Sequence, residues 1–420
     1  MGINTKSFVV SKGLVWQAWQ RVKAKGGGPG IDQVTLAQYA ADEKNRLYKL
    51  WNRMASGSYF PPPVRRVDIP KGKGQTRPLG IPTVEDRIAQ QVVKMVLEPQ
   101  LEPHFHPDSY GYRPGKSAID AVARARQRCW AYDWVVDVDI QGFFDTLDHE
   151  RLLKAVRHHT QHRWVWLYIE RWLTAPVYHP DGRLEERHQG TPQGGVISPL
   201  LANLLLHYAM DRWMVKTHPD IPFERYADDA VFHCRSREEA EHFLVALRQR
   251  MTECGLVLHP TKTRIVYCKD SNRPCNDHPT ISFDFLGYTF KPRKVINPRK
   301  QVFTGFTPAM SGKSLKRIFE DVHGMRLQGR SATTVQDIAA LLNPKVRGWI
   351  NYFGHFGRSQ VHKLANWLDF VLLRWARNKY KRLGRSNRKS RRFLNQLRAQ
   401  HPYLFVHWYG IRIDCMRRAV

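Results

Sequence analysis

The stretch Phe223-Glu224-Arg225-Tyr226-Ala227-Asp228-Asp229-Ala230-Val231-Phe232 constrains this chain more than any other. Strand formers stand on both sides of two adjacent carboxylates, Phe223 and Tyr226 before them, Val231 and Phe232 after. A strand–turn–strand over these residues lifts Asp228 and Asp229 to the tip of a hairpin. Like charges side by side are costly unless a cation sits on them, and hard divalent cations prefer carboxylate oxygens. Taken alone, the pair is more simply a solvated turn, where Asp is common. A second stretch changes that. In Trp134-Val135-Val136-Asp137-Val138-Asp139-Ile140, Val136, Val138 and Ile140 share one strand face, and Asp137 and Asp139 share the other, open one. The two acids are about 6–7 Å apart along the strand. Asp139 with Asp228 and Asp229 supplies three carboxylates from separate strands, the donor set that a two-metal phosphoryl-transfer centre needs. Chemistry alone does not choose between Asp137 and Asp139.

Charge narrows the partner. Lys and Arg number 67 against 37 Asp and Glu, a net charge of +30 over 420 residues. That implies a polyanion, nucleic acid first and an anionic membrane second. Apolar runs fall far short of the roughly 18 residues a span requires, and the N-terminus lacks a signal-peptide core. The six cysteines (129, 234, 254, 268, 275 and 415) contain no Cys-x-x-Cys pair, which argues against a disulfide framework and a zinc knuckle and for a reducing cytoplasm. The length allows two or three domains. Thirteen Trp and many Tyr and Phe suit base stacking, although most aromatics serve a core.

Local patterns give the expected elements. Residues 12–57 read as helices, with Leu14, Val15, Ala18 and Val22 on one face, broken by Gly26-Gly27-Gly28-Pro29-Gly30. That loop lacks Gly-Lys-Ser/Thr and is either a phosphate cradle or a flexible connector. Residues 61–82 read as a basic hairpin bearing Lys71, Lys73 and Arg77, followed by a helix over Asp86 to Leu97. Arg113, in the turn Gly111-Tyr112-Arg113-Pro114-Gly115, is either a ligand contact or a structural cap. Asp148 is positioned to N-cap a helix from His149, and a helix near Ser198 is expected to be N-capped. Pro180-Asp181-Gly182 marks a hairpin over 177–188. Helices are expected over Glu238–Glu253, from Ser314, and through Leu364–Lys381, and strands over Arg264–Cys268 and Phe283–Phe290.

The motifs in order are similar to those of the reverse transcriptases encoded by bacterial group II introns, of the type lacking an endonuclease. The resemblance is carried by Asp139-Ile140-Gln141-Gly142-Phe143-Phe144-Asp145, Gln189-Gly190-Thr191-Pro192-Gln193-Gly194-Gly195 and Tyr226-Ala227-Asp228-Asp229, and runs from about residue 15 onward. It implies an α+β fold: a right-hand polymerase with fingers, a palm built on an antiparallel sheet, and an α-helical thumb and maturase domain. The implied boundaries are 1–60 for an N-terminal fingers extension contacting template RNA, 61–300 for fingers and palm, 301–383 for the thumb or domain X, and 384–420 for a basic nucleic-acid-binding segment. The family's motif, which places the metal ligand five residues before the second aromatic, implies Asp139 rather than Asp137. Asp139, Asp228 and Asp229, with Ile140, are implied to hold two Mg2+ ions, with Mn2+ as a substitute.

The same resemblance implies that Lys71 and Arg77 grip the incoming dNTP phosphates, and that Gln193 approaches its sugar and base. It further implies that Phe144, otherwise a plain core residue, excludes a 2′-hydroxyl by steric clash, and that Lys262, otherwise a solvated lysine, is a proton donor to pyrophosphate. Strands at Phe283–Phe290 resemble a primer grip. No acid stands between Asp369 and Asp414, and the run Arg385-Ser386-Asn387-Arg388-Lys389-Ser390-Arg391-Arg392 is either a solvated loop or an RNA contact, the latter favoured by Trp367, Trp375 and Tyr380 just before it. The implied function is RNA-directed DNA synthesis together with maturase binding of the intron RNA. The partners are that RNA, an RNA template with a DNA primer, target DNA and dNTPs, without a membrane. The setting is the bacterial cytoplasm, at the nucleoid during mobility. Without the Cys- and His-bearing endonuclease, second-strand cleavage is not expected. The rival readings are a splicing cofactor without polymerase activity and a domesticated reverse transcriptase, for example of a defence system.

Overall fold

The computed structural model describes residues 7–72, 75–273, 278–296, 299–384 and 386–413. It is mixed α/β. In chain order, helices α1 (Lys12–Lys25), α2 (Leu36–Ala41) and α3 (Glu43–Ser56) precede strands β1 (Val64–Gly72) and β2 (Gln75–Ile81). Helices α4 (Val84–Leu101) and α5 (Ala118–Ala131) lead to β3 (Trp134–Asp139). Then come α6 (His149–His159), α7 (Arg163–Thr174), β4 (Val177–Tyr178), β5 (Leu184–Glu185), α8 (Ser198–Leu206) and α9 (Arg212–Thr217). The acidic hairpin is β6 (Phe223–Tyr226) and β7 (Asp229–Cys234), followed by α10 (Arg237–Glu253), β8 (Arg264–Tyr267), β9 (Phe283–Phe285), β10 (Tyr288–Ile296) and β11 (Val302–Met310). Helices α11 (Gly312–Gly324), α12 (Val335–Phe353), α13 (Arg358–Lys379), α14 (Asn387–Gln400) and α15 (Val406–Ile413) complete the described order.

The chain divides into two compact units. One takes in the chain up to Ser117 with Val136–Phe232 and Glu238–Arg264; the other takes Ala118–Val135, His233–Arg237 and everything from Ile265. In the first unit Val15, Ala18, Trp19 and Val22 of α1 are buried, as the 3.6-residue spacing dictates. The basic hairpin forms with Arg65 opposite Ile81 and Ile69 opposite Arg77. Its sheet runs β2–β1–β4–β5, β1 and β4 being parallel and the other pairs antiparallel. The turn at Asp181-Gly182 joins β4 to β5, the Asp181 carboxylate accepting from the Arg183 amide at 3.0 Å.

The glycine-rich loop is pinned in place rather than a loose connector. Arg87 donates to the carbonyls of Gly26 (3.1 Å) and Gly28 (2.8 Å), and Arg65 to that of Pro29 (2.6 Å).

In the second unit β11–β10–β9 form an antiparallel sheet. The β9–β10 turn, Leu286-Gly287, has positive φ at both residues (50° and 81°), the geometry of a tight hairpin. The Ser314 hydroxyl donates to the Gly287 carbonyl (2.9 Å) and the Tyr352 hydroxyl to that of Leu286 (2.7 Å). The first helices of the C-terminal bundle are thereby tied to that turn. Asp369 on α13 accepts from His407 (2.9 Å) and from the Trp408 indole (2.8 Å), both on α15.

The run 386–392 belongs to α14 rather than a loop, because Ser386 N-caps it and Ser390 and Leu394 bury one face. Cys129, Cys234, Cys254 and Cys268 are buried free thiols. Among the described residues no helix is long and apolar enough to cross a membrane.

Candidate active site

The acidic pair is delivered by a two-residue turn. Tyr226 pairs with Asp229 across the hairpin, so Ala227 and Asp228 form the turn and Asp229 heads β7. Ala227 holds a left-handed φ of 57°, which is uncommon outside glycine and is a form of stored strain.

What fixes this turn lies beneath it. Arg225 is fully buried and forks onto Asp211 at 2.7 and 2.5 Å. Its remaining nitrogen donates to the Asn203 side chain (3.0 Å) and to the Ala227 carbonyl (3.1 Å). Asp211 comes from a five-residue π-helical segment, His207–Asp211, set between α8 and α9. Asn203 in turn donates to the Gly111 carbonyl at 2.6 Å.

The loop 108–111 runs along the edge of β6, with the Tyr110 amide donating to the Arg225 carbonyl (2.7 Å) and the Arg225 amide to that of Asp108 (3.0 Å). Gly111 is required there: a Cβ would collide with the Ala227 backbone nitrogen. Arg113 is the structural cap of this loop, paired with Glu102 at 2.7 Å and donating to the carbonyls of His106 and Ser109.

The two candidate acids of β3 separate cleanly. Asp137 is buried, 7 % exposed, and paired with Arg264 at 3.2 Å. The expectation that it lies on an open face with Asp139 is therefore corrected: Asp137 is buried, and Arg264 supplies its cation. Asp139 is half-buried at the end of the strand, where the Lys262 ammonium stands 3.1 Å from both of its carboxylate oxygens. The Asp139 carbonyl accepts from the His259 amide at 2.8 Å, and Ile140 bridges to Leu258.

Asp228 senses the charge of Asp139. Burial pushes the Asp228 carboxyl above its usual range and the charge of Asp139 pushes it further, while Arg77 and Lys262 oppose the rise. Among the described residues no group of three or more His, Cys, Asp or Glu side chains is already placed to hold a metal ion. The cation on Asp139 is Lys262. The donor chemistry still fits a divalent ion: hard oxygens, a carboxylate destabilised by a neighbouring one, and a lysine standing where positive charge is wanted.

The nucleotide-contact candidates also converge in part. Arg77 of β2 donates to the Gln193 side chain at 2.6 Å. The Gln193 loop is pinned to β2, the Gly80 amide donating to the Gln193 carbonyl at 2.8 Å. It is pinned to α4 through Gln90, whose side-chain oxygen accepts from Val196 (2.7 Å) and Ile197 (3.3 Å). Gln90 is itself held by Asp86, at 2.9 Å.

Phe144 lies in a short 3-10 turn, buried to 8 % exposure against Phe143, and its carbonyl accepts from the Thr191 amide at 2.7 Å. Asp148 N-caps α6 as its position predicts, accepting from Arg151 at 2.9 Å. The helix at Ser198 begins without such a cap: Ile197 holds the cap position, and Ser198 instead bonds Thr191 at 2.9 Å. Lys71 is the last residue but one of β1, and Lys73 lies outside the described residues. Arg388, Lys389, Arg391 and Arg392 are exposed on α14 in the other unit, and Arg385 lies outside the described residues.

Sequence reading overlooked three contributors. Tyr112 lies within electrostatic reach of Asp228 and Arg77, Gln90 anchors the Gln193 loop, and the Arg225–Asp211–Asn203 lock supports the acidic turn. Only Tyr112 had a visible signal, its place in the Gly-Tyr-Arg-Pro-Gly turn.

A strand-borne acid facing an acidic hairpin, flanked by a basic hairpin, defines the class. The chain belongs to the reverse transcriptase (RNA-dependent DNA polymerase) family, whose pattern matches residues 69–290, more than half of its length. The pattern of the group II intron maturase-specific domain matches residues 315–393.

Relatives include the protein YkfC of Escherichia coli, 40% identical over 186 residues, which cover 43% of this chain and 48% of that protein. The group II intron-encoded protein LtrA of Lactococcus lactis is 34% identical over 212 residues, 50% of this chain and 35% of LtrA. Nuclear intron maturase 1 of Arabidopsis thaliana is 27% identical over 107 residues, 26% of this chain and 15% of that protein. The chain thus spans about half or less of the length of the relatives it matches.

Proposed function

We propose that this chain is the RNA-directed DNA polymerase of a group II intron, built as a right-hand polymerase, and that it also binds its intron RNA as a maturase. The carrying observation is the pairing of Lys262 with Asp139 beside the Asp228–Asp229 turn, with Arg77 held by Gln193. On this reading residues 1–60 extend the fingers, 61–300 form fingers and palm, 301–383 form the thumb, and 384–420 bind nucleic acid. The maturase-specific match over 315–393 supports the second role.

Asp139, Asp228 and Asp229, with Ile140, would hold two Mg2+ ions, replaceable by Mn2+, whose chemistry is to activate the primer 3′-hydroxyl and screen the triphosphate. Arg77 forks onto phosphate oxygens with Lys71 as a point charge. Gln193, released by Arg77, turns to the sugar and base. The Phe144 ring closes the space a 2′-hydroxyl needs. Lys262 leaves Asp139 and donates its proton to the departing pyrophosphate. Arg385, Arg388, Lys389, Arg391 and Arg392 take phosphates of the intron RNA. The remaining partners are an RNA template with its DNA primer, target DNA and dNTPs, in a bacterial cytoplasm and at the nucleoid during mobility.

The test is primer extension on an RNA template with dNTPs and Mg2+. Wild type is expected to make cDNA, and Asp228→Ala to lose synthesis by orders of magnitude while still binding RNA. Normal extension by the Asp228→Ala, Asp229→Ala double variant would refute the assignment. No extension by wild type would point instead to an RNA-binding cofactor.

A further inference from the structure

The first unit carries a large groove that the carboxylate site does not use. A cavity of about 1140 Å³ opens between the turn at Pro103–Pro107, the end of α6 and the π-helical segment. A second, of about 670 Å³, continues between α6, α8 and α10, and the two share His158, Tyr208, Arg212 and Arg250. We propose that this groove binds a single-stranded RNA segment, its phosphates on the flanking cations and its bases on the histidine and tyrosine rings. The proposal rests on the reading of the chain as an RNA-binding polymerase and adds a second RNA track to it.

Charge argues for a strand rather than a small anion. Arg151, Lys154, Arg157, Arg212, Lys216 and Arg250 line the two cavities, more cations than one nucleotide can satisfy. Asp211 and Glu253 are the acids among these lining residues. Asp211 is bound to Arg225, and Glu253 lies 3.6 Å from Arg250, so neither opposes an incoming phosphate strongly.

The walls also offer rings. His104 and His158 are exposed, His104 stacks at a tilt on His159 with centroids 4.7 Å apart, and His159 bonds the Tyr208 hydroxyl at 2.7 Å. Burial pushes His159 and His207 down to about 4, with Asp211 opposing the shift at His207, so both rings are neutral at pH 7 and the half-buried His159 offers an uncharged ring for stacking. His207 is only 6 % exposed, lines the cavity, and its Nδ1 has no hydrogen-bond partner.

The shape is built in. Arg250 donates to the carbonyls of Tyr208 (3.1 Å) and Ala209 (3.0 Å), fixing the wide turn that the π-helical segment makes.

The experiment compares two folded triple variants of equal charge change. Lys154→Glu, Arg157→Glu, Lys216→Glu alters the groove. Arg163→Glu, Arg183→Glu, Arg248→Glu alters three exposed arginines of the same unit that do not line it. Binding of a labelled single-stranded RNA is titrated against NaCl, alongside extension of a short pre-annealed RNA–DNA primer–template. The groove variant is expected to lose on the order of tenfold in affinity near 0.15 M salt and to flatten the log–log salt slope by about 2, at about 0.7 per phosphate contact. Its extension of the short primer–template is expected to persist.

Equal losses in both triple variants, or no change in the groove variant, overturn the proposal. If the triple variant does not fold, His158→Ala replaces it, read as loss of photocrosslinking between 4-thiouridine RNA and the peptide bearing Tyr208; unchanged crosslinking overturns the proposal too. Absence of extension by wild type would remove the polymerase reading and leave the binding comparison intact.

Discussion

Arg225 sits two residues before the acidic turn, is wholly buried, and reaches Asp211, Asn203 and the Ala227 carbonyl at once. Removing one partner strands a charge in the interior. Asp211→Asn is therefore expected to cost about 3–5 kcal/mol, measured by urea unfolding. Any folded fraction should extend primers poorly, because Arg225, no longer anchored by Asp211, is displaced from the Ala227 carbonyl it holds. Full stability and full activity in that variant would show that the lock is idle. None of this is visible along the chain. The π-helical segment has no recognised signature, and Arg225 reads as one more basic residue in a basic protein. The turn itself was legible, since strand formers bracket two acids. Asp137 misled because period-2 alternation reports only which residues share a face; its partner Arg264 lies 127 residues on.

At the scale of elements, α4 is the hub of the site's second wall. Asp86 accepts from Tyr59 (2.7 Å), Trp172 (2.6 Å) and Gln90 (2.9 Å), and Gln90 carries the Gln193 loop. Burial raises Asp86 to about 6, although the three hydrogen bonds oppose it. Its native pKa is thus above its unfolded value near 3.9. Between about pH 4 and 6 the native state holds the extra proton, so this group's contribution favours folding below pH 4 and is lost as pH rises to 6. The loss is on the order of 3 kcal/mol. Stability measured across that range should fall less in Asp86→Asn than in wild type; parallel profiles would contradict the assignment. Helix caps such as Asp148 were legible because donor and acceptor are three residues apart. The Gln90 anchor was not, since it joins residues 106 apart.

For the molecule as a whole, one acid organises the end of an otherwise basic chain. Burial alone would raise Asp369, yet hydrogen bonds from His407 and Trp408 and the nearby Arg398 hold it below its usual range. Its contribution is present above about pH 4, the unfolded value, and disappears as pH falls through the depressed native one. Asp369→Ala should free α15 from α13, seen as faster hydrogen exchange over Val406–Ile413 at pH 7, with the N-terminal unit unchanged. Unaltered exchange there would show that apolar packing suffices. The helical character of this region was legible from its spacing. The helical state of 387–392 was not, because a run of like charges looks the same in a loop or on a solvated face.

The bond between Lys262 and Asp139 has a consequence for the order in which the site fills. While it stands, one ammonium occupies the oxygens that a divalent ion would use, so the lysine and the ion compete. A triphosphate that draws the lysine away removes the competitor. Nucleotide and metal should each tighten the other's binding by the same factor, as linkage requires. A resting enzyme would then hold metal loosely, and charge itself only when substrate arrives.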